Sequence, residues 1–275
     1  MSNPPPASSS VRPVALTRWA GLAYKKVDDM LAVEEPLEIR IGDRSLAVVM
    51  RTPGNDRELV AGFLFTEGIV RDRGAILDLV YCQAGTEPEA NVMNVHLAPG
   101  VAVDWTRLTR HTFASSSCGL CGKASIDAVR AAAPALASSA RVVPRKGVLE
   151  QIPEVLREQQ RGFALTGGAH ASGLFKQDGS LLALREDVGR HNALDKAIGW
   201  AFFAERLPLD DCILLVSGRV SFELMQKALM AGIPTVAAVS APTSLAVEFA
   251  RESGQTLVGF MRGDHLNLYA GTIRG

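Results

Sequence analysis

The sequence predicts an α/β protein with a β-rich region ahead of it, and three observations predict this. The C-terminal third alternates apolar runs of strand length with stretches of helical period. Within the N-terminal third, Leu37, Ile39 and Ile41 stand at every second position. The chain has 275 residues, 47% of them hydrophobic, which is enough to bury a substantial core.

The N-terminal elements come first. Leu37, Ile39 and Ile41 alternate with polar residues, Gly42-Asp43 can turn, and Leu46 to Met50 resumes the apolar run. This pattern predicts paired strands over Val33 to Met50. Arg51-Thr52-Pro53-Gly54-Asn55 breaks the run, and Asp56 to Ile69 carries Leu59, Val60, Phe63 and Leu64 at helical core spacing. Further short strands are expected from Leu77 to Val103.

A second region begins near Thr112. Ser125 to Ala137 is Ala-rich and reads as a helix, and Gln151 to Gln160 as another. Gly162 to Thr166 and Leu181 to Arg185 read as short strands around Thr166-Gly167-Gly168-Ala169-His170. Then follow a strand at Cys212 to Val216, a helix at Val220 to Met230 and a strand at Pro234 to Ser240. A helix at Leu245 to Glu252, closed by Gly254, and a strand at Thr256 to Met261 complete the series. Short links between alternating strands and helices imply parallel strands. The expected organisation is a polar tail over residues 1–13, a β-rich α+β domain over 14–111 and an α/β domain over 112–275.

Parallel strands put their carboxyl ends on one edge, where such sheets bind ligands. Three polar segments should gather there: Ser217-Gly218-Arg219, Ser240-Ala241-Pro242-Thr243-Ser244 and Arg262-Gly263-Asp264-His265. The first two precede helices, whose free N–H groups favour anions. With Arg219 and Arg262 they suggest a phosphate or pyrophosphate site; ordinary loop and capping chemistry is the alternative.

Charge and targeting narrow the class. Lys plus Arg and Asp plus Glu are 29 each, so bulk charge does not point to nucleic acid. The Pro- and Ser-rich N-terminus lacks the apolar stretch of a secretory signal, and no run of about 18 apolar residues could span a membrane. Four cysteines in so long a chain do not make a disulfide scaffold, so a reducing, cytoplasmic setting is expected.

The densest chemistry is Ser115-Ser116-Ser117-Cys118-Gly119-Leu120-Cys121-Gly122-Lys123. Two thiols three residues apart among small residues can present a reactive sulfur. A following helix start or a nearby cation would lower the thiol's pKa. Structural zinc would need about four ligands, but Cys82 and Cys212 stand alone and His111 and His170 lack finger spacing. A thioredoxin-like site expects the pair after the first strand of a small domain. A zinc deaminase wants His-x-Glu, which is absent, and a proline where Ser117 stands. Sulfur transfer and dithiol exchange both stand.

Arg185-Glu186-Asp187-Val188-Gly189-Arg190-His191-Asn192-Ala193-Leu194-Asp195-Lys196 is the next dense segment. It is either a solvated helix start with Asn192 as cap, or a polar wall facing the thiol or its substrate.

Taken with Arg51-Thr52-Pro53-Gly54, Thr66-Glu67-Gly68 and Val239 to Ser244, these motifs in this order resemble the formate dehydrogenase accessory sulfurtransferase family, FdhD. The resemblance covers nearly everything after the tail. It implies a cytidine-deaminase-like α/β sandwich without deaminase chemistry, in a cytoplasmic homodimer. It implies a sulfurtransferase that takes sulfur from a cysteine desulfurase as a persulfide. The sulfur passes to the molybdenum or tungsten bis(molybdopterin guanine dinucleotide) cofactor before that cofactor enters formate dehydrogenase. By position, Cys118 matches the persulfide cysteine, with Cys121 shielding, resolving or assisting. Phe260, Met261, Arg262, Gly263, Asp264 and His265 match the cofactor-binding stretch.

Overall fold

The computed structural model describes residues 9–84, 87–105, 136 and 143–275. Cys118, Cys121 and, apart from residue 136, the helix expected over 125–137 lie outside these described residues.

The described residues build three sheets. The first is a two-stranded antiparallel ribbon of β1 (Val11–Ala20) and β2 (Ala23–Ala32), turning at Gly21, whose φ is 63°. Strand β1 begins inside the stretch read as tail. Its order comes from backbone pairing with β2, because nearly all its side chains face solvent.

The second sheet has the order β4-β3-β6-β5, from β3 (Glu35–Ile41), β4 (Arg44–Arg51), β5 (Ile76–Ala84) and β6 (Glu87–Leu97). The alternation legible in the sequence buries Leu37 and Ile39. Helix α1 (Asp56–Thr66) packs Leu59, Val60 and Leu64 onto this sheet against Ile39, Leu79 and Val95.

The third sheet has the order β12-β11-β10-β9-β7-β8. Its strands are β7 (His170–Lys176), β8 (Leu181–Asp187), β9 (Cys212–Val216), β10 (Thr235–Ala238), β11 (Thr256–Arg262) and β12 (His265–Ala270). Strands β9, β10 and β11 are parallel, as the short strand–helix links required. Strand β7 runs antiparallel to β8 and β9, and β12 antiparallel to β11.

Helices cover both faces of this sheet. Helix α2 (Lys146–Gln159) packs Leu149, Ile152 and Leu156 against Phe175, Leu215 and Val258. On the other face lie α4 (Arg190–Phe203), α5 (Phe222–Met230) and α6 (Ser244–Ser253), with Leu194, Met225 and Phe249 in one core. The result is the mixed α/β architecture expected, with all five residues of β9 buried.

One expectation is corrected. Gly162 to Thr166 is not a strand but the body of a short helix, α3 (Arg161–Thr166). The Glu186 carboxylate accepts from the Gly162 and Phe163 N–H groups at 2.7 and 2.8 Å, satisfying that helix start. Gly167 ends it at a φ of 66°. The cap comes from another strand, so local periodicity does not contain it.

Helices α1 and α4 cross where each carries a glycine. A Cβ on Gly62 would fall on the Asp195 carbonyl, and one on Gly199 on the Glu58 carbonyl. Backbone cannot yield as a flexible side chain does. Gly199→Val should therefore cost at least the usual overpacking penalty of about 1–3 kcal/mol. Thermal unfolding should read this as a Tm drop of about 2–12 °C; an unchanged Tm would contradict the crossing.

Candidate functional site

The pairings above send the carboxyl ends of β8, β9, β10 and β11 to one edge of the third sheet. Helices α4, α5 and α6 all begin there. The three polar segments expected at this edge are stitched together by backbone bonds. Val220 N–H donates to Ala241 O at 3.2 Å, Thr243 N–H to Val220 O at 2.9 Å and Phe260 N–H to Ser240 O at 3.1 Å. Thr243 caps α6, its hydroxyl accepting from Ala246 N–H at 3.3 Å.

The individual side chains divide. Ser217 binds β7 in both directions: its N–H donates to Ala171 O at 3.0 Å and its hydroxyl accepts from Ala171 N–H at 2.9 Å. Arg219 and Arg262 are exposed, and neither makes an ion pair among the described residues. Met261 is buried in the core beneath α2 and so stands apart from the rest of its stretch. Gly263, with a φ of 56°, closes the turn in which Arg262 pairs with His265. His265 in turn sits against Asp264.

Phe260 has a φ of 54°, a left-handed backbone that a bulky residue rarely adopts. The ladder slips between Gly259 and Arg262, and the Phe260 ring is exposed. A bulge that turns an aromatic side chain outward beside a ligand edge is a recurrent functional device.

His170 opens β7 beside the β9 loop. A Cβ on Gly218 would stand 3.1 Å from His170 Nδ1, so the bare backbone there allows the close approach. Burial pushes the His170 imidazole down, and the charges of Arg190 and His191 add to this. His191 Nε2 lies 2.9 Å from Glu223 and 3.2 Å from Ser221 Oγ. That bond holds the Glu223 carboxyl below the usual range. Sequence reading singled out both histidines but missed Ser221 and Glu223, which come from the start of another helix. A Ser-x-Glu at a helix start was the available signal.

The dense segment ending at Lys196 is neither a solvated helix start nor simply a polar wall. Lys196 is buried with Asp187 at 2.7 Å and donates to Thr52 O at 2.7 Å. Asp187 also accepts from Thr52 N–H at 3.1 Å, Gly189 N–H at 2.8 Å and Asn192 Nδ2 at 3.1 Å. Gly189, not Asn192, holds the cap position of α4. Asp195 is buried with Lys227 at 2.9 Å, and Thr66 donates its hydroxyl to Asp195 at 2.9 Å. Burial alone would lower the Lys227 ammonium; the charges of Asp195 and Glu67 outweigh this and raise it. These motifs thus lock the loop after β4 and helix α1 to the sheet edge. With Thr166 they also wall a cavity of about 400 Å³ beside β1.

Of the described cysteines, Cys212 is fully buried, and burial with the neighbouring Asp211 pushes its thiol up to about 12. Cys82 is half-buried on β5. Among the described residues no group of three or more His, Cys, Asp or Glu could hold a metal ion, and no helix is long and apolar enough to cross a membrane.

A family model for the FdhD/NarQ family matches residues 32–274. The chain belongs to that family. It is 53% identical over 247 residues to the Mycobacterium tuberculosis "Sulfur carrier protein FdhD", covering 88% of this chain and 90% of that one. It is 52% identical over 252 residues to the protein of the same name from Streptomyces coelicolor, covering 90% and 89%. The fold is that of a crystal structure from Desulfotalea psychrophila described as a candidate formate dehydrogenase accessory protein. The TM-score is 0.75 at 21% identity, over 95% of this chain and 97% of that one.

Proposed function

We propose that this chain is a sulfur carrier for formate dehydrogenase maturation. It takes sulfur from a cysteine desulfurase as a persulfide on Cys118. It passes that sulfur to the molybdenum or tungsten bis(molybdopterin guanine dinucleotide) cofactor, its cargo, before the cofactor enters the dehydrogenase. The observation that carries the reading is identity above 50% to proteins named sulfur carrier, across nearly nine-tenths of a chain that contains Cys118-Gly-Leu-Cys121.

Loading needs no oxidant. The Cys118 thiolate attacks the outer sulfur of the desulfurase persulfide, that S–S bond breaks, and the desulfurase cysteine leaves as thiolate. A thiolate is required, and the buried Cys212, with its raised pKa, is a poor one. Cys121 shields or resolves the persulfide.

The reading assigns the cofactor's guanosine and pyrophosphate groups to the sheet edge, with N–H groups at helix starts and the exposed Arg219 and Arg262 as donors. Ser217 and the exposed part of Phe260 to His265 complete that surface. The working form is a cytoplasmic homodimer.

Reconstitution tests the whole. Apo-formate dehydrogenase, cofactor, desulfurase and cysteine should give activity only when this protein is added. Activity independent of it, or of the desulfurase, would contradict the reading. Arg262→Ala should weaken cofactor binding about tenfold or more, the loss of one charge-assisted contact of 1.5–3 kcal/mol, while leaving persulfide loading intact. Unchanged cofactor affinity would remove this loop from the site.

A further inference from the structure

The β1–β2 ribbon is a separate sheet, hydrogen-bonded to neither of the other two. Its ten residue pairs run in unbroken register, yet both of its faces are largely open. An isolated two-stranded hairpin is marginal in water, and stability needs a further strand or a packed face. Among the described residues its main support lies at its base, where β2 and the start of β1 lie against α3.

The far end carries the three most exposed large hydrophobic side chains of the described residues. Leu22 at the turn is 99% exposed, and Trp19 and Tyr24 are 64% and 66% exposed, their rings 5.0 Å apart. A tilted aromatic pair and a leucine held out in water mark an interaction surface.

We infer that this ribbon is a clasp that docks on a second copy of the same chain. The inference rests on the dimeric part of the reading above and names its surface. Two facts select a second copy as the occupant. A symmetric pair needs donor and receiver on one chain, and α3, at the base of the ribbon, offers exposed Phe163 and Leu165 in return. The area also suffices. Ten residues at about 3.3 Å each and two strands about 4.8 Å apart give one ribbon face of roughly 300 Å². Two reciprocal ribbons and the surfaces they cover then bury about 1,200 Å², the lower bound of a stable specific interface.

The test is mass by light scattering at about 20 µM, with amide hydrogen exchange of peptides within 14–31. The wild-type chain should be a dimer whose ribbon amides exchange slowly and lose protection on dilution to monomer. The triple variant Trp19→Glu, Leu22→Glu, Tyr24→Glu should be a monomer that still loads sulfur on Cys118. A wild-type monomer overturns both the clasp and the dimeric reading, and leaves the ribbon to a different protein. A dimer that survives the triple substitution, or ribbon exchange independent of concentration, overturns the clasp alone. Sulfur loading is read separately, so failure of the carrier function is distinguishable from either.

Discussion

Cys118→Ala should reduce formate dehydrogenase maturation to the level seen without the protein, while cofactor affinity stays unchanged. The effect is all-or-none because the sulfur has one covalent station in the proposed route. Cys212 cannot substitute: its thiol is buried beneath α4 and α5, and its raised pKa leaves almost no thiolate near neutrality. Cys121→Ala should retain loading, with a persulfide more easily lost to reductant. Equal loss of function in both variants, with a reversible Cys118–Cys121 disulfide in the wild type, would indicate dithiol exchange instead. Normal maturation with Cys118→Ala would indicate a chaperone whose thiols are incidental.

Asp187→Ala should be the most destabilising of the single charge removals. It leaves the Lys196 ammonium buried with only carbonyl partners, and it frees Thr52 N–H and Gly189 N–H of their acceptor. Breaking a buried pair from one side costs about 3–5 kcal/mol, which for a chain of this size is a Tm drop of about 6–20 °C. The sign of the pairing is tested by the double variant Asp187→Ala, Lys196→Met. It should recover part of the loss, because the stranded charge is gone. A Tm for Asp187→Ala within about 2 °C of the wild type would contradict the account of this network.

The same network shows where sequence reading stops. Strands β9, β10 and β11 and helices α5 and α6 were legible because each carries its own signal. Five consecutive buried residues make β9, and Gly254 closes α6 at a φ of 75°. The burial of Asp195, Lys196 and Lys227 is not legible in the sequence because their partners come from other elements: Lys227 from α5, Thr66 from α1, Thr52 from the loop after β4. The ribbon escaped notice for the opposite reason. With both faces open it has no inside to write a clean alternation. Helix α3 was misread because Glu186, its cap, lies on β8.

The candidate site divides in the same way. The meeting of Ser217 to Arg219, Ser240 to Ser244 and Arg262 to His265 followed from strand direction alone. The burial of Met261 and the outward turn of Phe260 did not, because both arise from a slip in the β11–β12 ladder.

The most direct measurement is peptide-mapped mass spectrometry of the reduced protein after incubation with a cysteine desulfurase and cysteine. The account predicts one or more added sulfur atoms on Cys118, removed by reductant, and none on Cys212. No added sulfur, or sulfur spread equally over Cys82 and Cys212, would contradict it.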